Sequence, residues 1–371
     1  MASNSKTLII MPGEGIGQEV MAEVRRVIDW IDRRRHVGFA LRDELFGMPA
    51  YEKHGALLRE EAIGDMREAD AVLFGATGSL LWNTLPPEIR KRGSLLRLRR
   101  ELELFANLRP VRALPSLVEA SPFKPRILEG VDLIIVRELN GGMYFGEPRG
   151  VEDLPDGEKR GVNTHSYTTP EIRRIARVAF ELARTRRGKV HSADKANVME
   201  AGRLWRDTVE ALHAKEFADV RFEHILADNC AMQLVRAPGQ FDVLVTDNLF
   251  GDLLSDAAAP IMGSLGMLPS ASLGPVKPDG RRNALYEPVH GSAPDIAGKG
   301  IANPLGAILS FALALRWSLG QPEDADLLEK AVERALETGA RTSDIWTPGT
   351  RRVATSEMGS TVLKALDELA A

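Results

Sequence analysis

Two aspartates, Asp252 and Asp256, stand four residues apart and are the first candidates for chemistry in this sequence. An apolar run at residues 243–245 predicts a buried strand, and Asp247 or Asn248 is suited to cap the helix that follows it. Side chains at this spacing share one face of a helix, and like charges that close repel unless a cation or a proton lies between them. A metal site is one interpretation; two acids that favour the positive end of a helix are the other.

Further polar residues stand at the ends of other predicted strands. Arg137, Lys195 and Asp228 each follow an apolar segment with the length and composition of a strand. Strands that alternate with helices predict an α/β fold with a largely parallel sheet. In such folds ligands bind at the carboxyl ends of the strands, so we expect these residues to line the same cleft as the aspartate pair.

Two glycine-rich stretches of the sequence differ from the common nucleotide-binding loops. Gly13, Gly15 and Gly17 follow the first predicted strand, but their spacing and the lack of an acid at the end of a second strand exclude a Rossmann fold. Residues 287–303 do not have the glycine spacing of a P-loop, and Gly300 stands where Ser or Thr is required. A glycine-rich loop of this length is usually functional, which makes it a candidate for cofactor contact.

Composition limits the class of protein. The chain has 371 residues, 44% of them hydrophobic and 27% charged, which is typical of a globular protein with room for two domains. A formal net charge of −4 gives no reason to expect nucleic acid or an anionic membrane as a partner. The apolar stretches are too short to span a membrane, and residues 1–6 do not resemble a signal peptide. The single cysteine, Cys230, excludes an internal disulfide and fits a cytoplasmic location.

A basic segment at residues 90–101 has leucines at helical spacing from Leu95 onward, which indicates a basic helix, and Arg99 and Arg109 flank its end. Because the segment is short and the chain is acidic overall, a small anionic ligand is favoured over a polyanion. Residues 147–165 are rich in glycine, proline and charge, and we interpret them as a surface loop or as an arm exchanged with a partner chain.

Several motifs taken together resemble the β-decarboxylating dehydrogenases of the isocitrate and isopropylmalate type. They are residues 95–99 (LLRLR), 104–110 (LFANLRP), 136–146 (VRELNGGMYFG), 194–198 (DKANV), 248–256 (NLFGDLLSD) and 287–303. The resemblance covers nearly the whole chain and implies an isopropylmalate dehydrogenase-like fold of two α/β domains. Residues 1–104 plus 265–371 would form the cofactor-binding domain. Residues 105–264, including an arm at 147–168, would form the metal, substrate and dimerisation domain.

The resemblance also implies roles for individual residues. Tyr144 and Lys195 would be catalytic, and Asp228, Asp252 and Asp256 would hold Mg²⁺ or Mn²⁺. Residues that would bind substrate are Arg99, Arg109, Arg137, Leu95, Leu96, Val198 and Asp228. Residues that would bind NAD are Glu287, His290, Gly291, Ser292, Ala293, Pro294, Asp295, Ile296 and Asn303. A homodimer is implied in which each site takes Lys195 and Asp228 from the neighbouring chain. Since the anions in the metal site repel, we expect Asp252→Asn or Asp256→Asn to raise stability in the absence of metal.

The implied reaction is the NAD-dependent oxidative decarboxylation of 3-isopropylmalate to 2-oxo-4-methylpentanoate, a step of leucine biosynthesis. Other 3-substituted malates stay open as substrates, namely homoisocitrate, D-malate, tartrate and other 3-alkylmalates, and a non-catalytic regulatory subunit is the alternative from another class. Two departures from the family pattern bear on the choice. Residues 78–81 (GSLL) replace the usual GGPK, and Arg92 stands in the position of a glutamate that faces the nicotinamide. We expect Arg92, which follows Arg90 and Lys91, to lie in a solvated loop with its charge screened, and we therefore predict a 3-alkylmalate.

Overall fold

The structure, a computed structural model, describes residues 5–371, and strands alternate with helices along most of that range. The strands are β1 (Lys6–Gly13), β2 (Phe39–Asp43), β3 (Ala71–Ala76), β4 (Ala106–Arg112), β5 (Asp132–Glu138), β6 (Gly146–Asp153), β7 (Lys159–Thr164), β8 (Lys189–Asp194), β9 (Arg221–Leu226), β10 (Val243–Thr246), β11 (Pro269–Leu273), β12 (Ala284–Pro288), β13 (Ala340–Arg341) and β14 (Arg351–Arg352). The α-helices are α1 (Gly17–Arg35), α2 (Met48–His54), α3 (Glu60–Glu68), α4 (Pro87–Arg92), α5 (Leu95–Glu101), α6 (Pro125–Leu128), α7 (Thr169–Arg184), α8 (Glu200–Glu216), α9 (Ala227–Arg236), α10 (Asn248–Ala258), α11 (Leu305–Trp317), α12 (Pro322–Glu337) and α13 (Thr355–Leu369). Short 3₁₀ turns occur at Leu80–Thr84, Pro115–Ala120, Gly142–Tyr144, Pro238–Gln240, Ala259–Met262 and Leu265–Met267. The predicted α/β class is confirmed.

The chain divides into two compact units. The first contains the residues up to 104 together with 113–125 and 259–371; the second contains residues 105–112 and 126–258. The boundaries expected from sequence differ from these units at 113–125 and 259–264. Both segments belong with the first unit because they pack there: the Arg341 guanidinium donates to the carbonyl of Ser116, and the Ser121 hydroxyl donates to the carbonyl of Pro260 at 2.7 Å. The assignment of one domain to the cofactor and the other to metal and substrate stays a prediction.

In the first unit, five neighbouring strands follow the order β2-β1-β3-β12-β11. Strands β1, β2, β3 and β12 pair in parallel, and β11 runs antiparallel to β12. Strand β3 and helix α11 are buried along nearly their whole lengths, as expected where helices cover both faces of a parallel sheet. The turn between β1 and α1 holds the glycines at positions 13 and 15 with positive φ.

In the second unit the strand order is β4-β5-β10-β8-β9, with β4 antiparallel and the others parallel. The register aligns the strand ends, since Thr246 on β10 lies opposite Arg137 on β5 and Ala193 on β8. Residues just beyond these positions therefore emerge at one edge of the sheet. This edge carries the candidate site.

Residues 146–164 form a hairpin rather than an irregular loop. Strands β6 and β7 pair antiparallel, and nearly every residue of β6 is exposed, including Val151 at 73%. The hairpin has the form of an arm; its exchange with a second chain stays a prediction.

The basic segment at residues 90–101 contributes to two helices, α4 and α5, so the loop expected at Arg92 is wrong. Gly93 lies between them, where an added Cβ would come within 2.1 Å of Leu57 Cβ. The Ser94 hydroxyl then caps α5 by accepting from the Arg97 amide at 3.2 Å.

Among residues 5–371, no helix is long and apolar enough to cross a bilayer.

Candidate active site

Asp252 and Asp256 lie on helix α10, and both contact the guanidinium of Arg109. The carboxylate of Asp247 accepts from the Phe250 amide at 2.7 Å and so caps the helix, as the sequence suggested. Arg109 on β4 lies 3.4 Å from a carboxylate oxygen of Asp252 and 3.4 Å from one of Asp256. The repulsion between the two acids is thus offset by a cation from the protein itself. Burial raises the pKa of Asp256, against the attraction of Arg109, and the charge of Asp252 raises it further.

A second buried guanidinium, that of Arg137, reaches the same carboxylate. Its Nη1 donates to Oδ1 of Asp252, while Nε and Nη2 donate to Asn248. The hydroxyl of Tyr144 donates to the other oxygen of Asp252 at 3.1 Å. Burial, together with the charge of Asp252, raises the pKa of Tyr144, so that its phenol is a proton donor at neutral pH. Two cations, two carboxylates and a phenol meet here, a set suited to a metal ion and an anionic substrate.

Lys195 and Asp228 form a separate ion pair. Lys195 follows β8, Asp228 lies in the first turn of α9, and their charged atoms are 2.6 Å apart. The hydrogen bond from Lys195 holds the pKa of Asp228 below its usual value. Within residues 5–371, no three His, Cys, Asp or Glu side chains lie close enough together to hold a metal ion. One chain therefore brings two of the three predicted ligands, Asp252 and Asp256, to the cluster around Arg109.

Arg99, predicted to bind substrate, pairs with a residue predicted to bind cofactor. Its Nη2 lies 2.6 Å from Oε1 of Glu287, and both side chains are largely buried in the first unit. Leu95 and Leu96 are half-buried on α5, whereas Val198 in the second unit is 68% exposed.

Arg92, at the end of α4, is exposed, as expected, although it lies in a helix and not in a loop. Its charge adds to the hydrogen bond of Arg97 in lowering the pKa of Glu60. The guanidinium of Arg92 is thus solvated and close to an acid.

The loop that follows β12 packs against the glycine turn after β1. The amide of Ile16 donates to the carbonyl of Ser292 at 2.9 Å, and an added Cβ at Gly15 would lie 2.1 Å from that oxygen. Residue 15 must therefore be glycine for the two segments to approach this closely. The Ser292 hydroxyl also donates to the carbonyl of Gly78.

Along this loop, Gly291, Pro294 and Asp295 are exposed, Ile296 is half-buried, and Ala293 has a φ of +39°. Burial lowers the pKa of His290, which is therefore neutral at pH 7. The loop thus offers accessible backbone, a neutral imidazole and an exposed carboxylate to a ligand.

Asn303 lies at the end of the loop, and both the nitrogen and the oxygen of its side-chain amide form hydrogen bonds. Its nitrogen donates to Asp344 at 3.0 Å, and its oxygen accepts from the amide of Leu305 at 3.0 Å. These contacts fix the start of α11, and they make Asn303 less accessible than the sequence suggested.

Three polar residues that contact Arg109 or Arg137 were not identified as site residues from sequence. Asn107 accepts from Arg109 Nε at 2.8 Å, Ser255 accepts from Arg109 Nη1 at 2.6 Å, and Asn248 accepts from Arg137. A period-2 pattern on β4 was the available signal for Asn107, since residues two apart in a strand share a face. Asn248 was noted only as a candidate helix cap.

Glu14, in the glycine turn, was also missed. It is 6% exposed, and its carboxylate accepts from the indole of Trp82 at 2.9 Å and from the amides of Gly78 and Met48 at 3.0 Å each. This one side chain therefore orders the segment at 78–82 in which the sequence departs from the family pattern.

Known proteins resemble this chain over its whole length. A model of the isocitrate/isopropylmalate dehydrogenase family matches residues 7–362. A 3-isopropylmalate dehydrogenase of Gluconobacter oxydans is 56% identical over 368 residues, covering 99% of this chain and 100% of that protein. The 3-isopropylmalate dehydrogenase 1 of Bradyrhizobium diazoefficiens is 58% identical over 367 residues, covering 99% and 97%. The crystal structure of an isocitrate dehydrogenase from Methylococcus capsulatus aligns with a TM-score of 0.84 and 32% identity, covering 97% of this chain and 99% of that one.

Proposed function

The chain belongs to the isocitrate/isopropylmalate dehydrogenase family and is a β-decarboxylating dehydrogenase, and we propose that its substrate is 3-isopropylmalate. The reaction would be the NAD-dependent oxidative decarboxylation of this substrate to 2-oxo-4-methylpentanoate in leucine biosynthesis. The main support is the cluster of Arg109, Arg137, Tyr144, Asp252 and Asp256 at the carboxyl ends of β5 and β10. Relatives at 56% and 58% identity named 3-isopropylmalate dehydrogenase support the choice of substrate.

The two carboxylates of the substrate require cationic partners. Arg109 and Arg137 are 5% and 3% exposed, and guanidinium groups bind carboxylates through short, charge-assisted hydrogen bonds. Both arginines contact Asp252 in the free chain, so substrate would exchange one anionic partner for another. Arg99, paired with Glu287, is the third cation that we assign to substrate.

The oxygen-only donors Asp252 and Asp256 fit Mg²⁺ or Mn²⁺. They face a shared cation, and their side chains are 36% and 58% exposed, which leaves both carboxylates accessible to an ion. We assign the third ligand to Asp228 of a neighbouring chain, since Asp228 forms no metal-binding group with them within residues 5–371. A bound ion would supply Lewis-acid stabilisation for the enolate that decarboxylation leaves.

Two side chains would move the protons. Lys195 would assist the deprotonation of the substrate hydroxyl when a bound NAD takes hydride from C2, and Asp228 would hold the lysine in position through its 2.6 Å contact. Tyr144 then protonates C3 after loss of carbon dioxide. Its hydrogen bond to Asp252 fixes the direction of the phenol, which is protonated at neutral pH.

NAD would lie against residues 287–303, where Gly291, Ser292 and Ala293 let backbone approach a ligand and His290 is neutral. The exposed carboxylate of Asp295 is suited to accept hydrogen bonds from ribose hydroxyls and would repel a 2′-phosphate. We therefore propose NAD rather than NADP as the oxidant.

A homodimer is supported by exposed apolar side chains in the second unit. Leu204 on α8, Met232 and Val235 on α9, and Leu253 on α10 are 38%, 50%, 49% and 60% exposed. Helices α9 and α10 pack on each other, and exposed apolar groups in that number on one unit are typical of a surface that another chain covers. The hairpin at 146–164 adds Val151 to the apolar residues that a second copy would bury.

The apolar wall for the C3 substituent would be Leu95 and Leu96, with Val198 from a neighbouring chain. Burying an isopropyl group there favours binding by about 1.5–3 kcal/mol. Arg92 is exposed and close to Glu60, so its charge is screened and does not favour a carboxylate-bearing substituent.

Initial rates with a panel of substrates test the proposal. 3-Isopropylmalate, homoisocitrate, D-malate and tartrate are each assayed with NAD and with NADP in the presence of Mg²⁺. We expect the highest kcat/KM for 3-isopropylmalate with NAD. A higher value for homoisocitrate or D-malate would overturn the substrate, a higher value with NADP would overturn the cofactor, and no turnover with any pair would favour a regulatory subunit.

A further inference from the structure

The guanidinium of Arg137 is held by a side chain to which the reaction gives no role. Arg137 is 3% exposed, and its Nε lies 2.9 Å from the backbone oxygen and 3.1 Å from Oδ1 of Asn248. Its Nη2 lies 2.8 Å from the same Oδ1. One edge of the guanidinium is thus bound to Asn248, which directs Nη1 toward Asp252.

Two polar atoms of Asn248 do not contact Arg137, namely its side-chain nitrogen and its backbone nitrogen, and both donate hydrogen bonds to other residues. It is 1% exposed, its side-chain nitrogen donates to the carbonyl of Gly141 at 3.1 Å, and its backbone amide donates to the hydroxyl of Tyr167 at 2.9 Å. Both partners are in the same unit as Arg137. The amide plane of Asn248 is therefore oriented with Oδ1 toward Arg137 and its nitrogen toward Gly141.

The stem of Arg137 is confined on the other side by the backbone of α10. An added Cβ at Gly251 would lie 2.5 Å from Cγ and 2.7 Å from Cβ of Arg137. Asn248, Gly251 and Asp252, all in the first turns of α10, thus form a slot that admits one conformation of the arginine.

We propose that Asn248 is a positioning residue for substrate binding: it sets the plane of the Arg137 guanidinium so that Nη1 meets the substrate carboxylate. This inference rests on the proposed function, which makes Arg137 a substrate ligand. A neutral amide suits the role, because Oδ1 accepts two N–H groups while leaving the positive charge of Arg137 intact for the substrate. An aspartate here would neutralise that charge and would face the carbonyl of Gly141 with a second acceptor.

A double-mutant cycle between Asn248→Ala and Arg137→Ala tests the inference. In the wild-type background, Asn248→Ala should raise KM for 3-isopropylmalate about tenfold or more and leave KM for NAD within about twofold. In the Arg137→Ala background, the same substitution should change KM for 3-isopropylmalate less than about twofold. Equal effects in the two backgrounds, or a parallel rise in KM for NAD, would overturn the positioning role.

Asn283→Ala is the matched control, since Asn283 is also a buried asparagine, belongs to the first unit and donates to the carbonyl of Leu102. It should lower the melting temperature without changing KM for 3-isopropylmalate. If Asn248→Ala does not fold, Gly251→Ala takes its place: the added methyl displaces the stem of Arg137 and should produce the same selective rise in KM and the same lack of additivity with Arg137→Ala.

A readout independent of turnover separates this inference from the proposed function. The Nε–H of Arg137, assigned by NMR from its loss in Arg137→Lys, should exchange slowly with solvent in the wild type and at least about tenfold faster in Asn248→Ala. Absence of turnover with 3-isopropylmalate alongside this change would refute the proposed function alone. An unchanged exchange rate would refute the role of Asn248 alone.

Discussion

The hydroxyl of Tyr144 donates a hydrogen bond to Oδ2 of Asp252, with 3.1 Å between the two oxygens. The acid that we assign to C3 protonation is therefore oriented by a residue that we assign to the metal. Burial and the charge of Asp252 both raise the pKa of Tyr144, so the phenol carries its proton at neutral pH.

Tyr144→Phe removes the proton donor and keeps the ring. We expect kcat for oxidative decarboxylation of 3-isopropylmalate to fall by about 10²–10⁴, the usual contribution of a positioned general acid, with KM changed little. Tyr51→Phe, on α2 and outside the site, is the control and should keep full activity. A kcat for Tyr144→Phe within a few-fold of the control would assign C3 protonation to another group.

Asp252→Asn and Asp256→Asn should differ in stability although both should abolish Mg²⁺-dependent turnover. The structure reverses the expected stabilisation for Asp252, because this carboxylate is the counter-ion of both Arg109 and Arg137, which are buried. Its loss should lower the free energy of unfolding by about 2 kcal/mol. Asp256 makes a longer contact, is more exposed and has a raised pKa, so Asp256→Asn should be neutral or stabilising.

Urea unfolding of the metal-free proteins measures the difference, and assays in EDTA with and without added Mg²⁺ measure the metal requirement. Equal stabilisation by both substitutions would mean that repulsion between the acids dominates over their pairing with arginine. Full activity in excess EDTA would remove the metal from the proposal.

Strands with continuous apolar runs were predictable because burial on both faces leaves an unambiguous pattern. Residues 71–75 and 243–245 are examples, and both form strands. Strand β11 was missed, since Ser270 and Ser272 are polar residues that the fold buries completely or nearly so. The break between α4 and α5 depends on the close approach of Gly93 to Leu57, a contact that helical periodicity does not reveal.

Within the site, the shared face of Asp252 and Asp256 followed from their spacing, because the geometry of a helix is local. The contact between Arg137 and Asn248 joins residues 111 positions apart. It depends on the parallel pairing of β5 with β10, and neither residue type at its own position signals the other. The pairing of Arg99 with Glu287 is non-local in the same way.

We expect the protein to lose stability in acid because the imidazole of His191 is buried. Burial, aided by the charge of Lys189, lowers its pKa to about 4 in the folded protein, whereas an unfolded chain has an ordinary histidine pKa near ~6.5. Between these values the unfolded state binds more protons, so stability is full above about pH 6.5 and falls as the pH drops toward 4. The loss attributable to this residue approaches about 3 kcal/mol.

The measurement is the free energy of unfolding of the wild type and of His191→Phe from pH 7.5 to 4. His191 packs at 4.8 Å from the ring of Phe241, so an aromatic replacement keeps much of that contact. The variant should show a shallower decline than the wild type over this range. Parallel curves would mean that other groups account for the acid sensitivity.

Mixed dimers test whether active sites are shared between chains. If Lys195 serves the neighbouring site and Tyr144 its own, Lys195→Ala and Tyr144→Phe homodimers should both be nearly inactive. A heterodimer of the two has one site with both residues intact and one with neither. After complete random exchange, half of the dimers are mixed and half of their sites are intact, so activity should recover to about one quarter of wild type.

Lys195→Ala mixed with Asp228→Asn is the matched control. These two residues form one ion pair in the same chain and would serve the same neighbouring site. Each site of that heterodimer lacks one of them, so exchange should restore no activity. Native mass spectrometry verifies that heterodimers form in both mixtures. No recovery in the test mixture despite exchange would show that each chain builds its site alone, and Asp228 would then have to reach Asp252 and Asp256 by a rearrangement within one chain. Recovery in the control would show instead that Lys195 and Asp228 serve different sites.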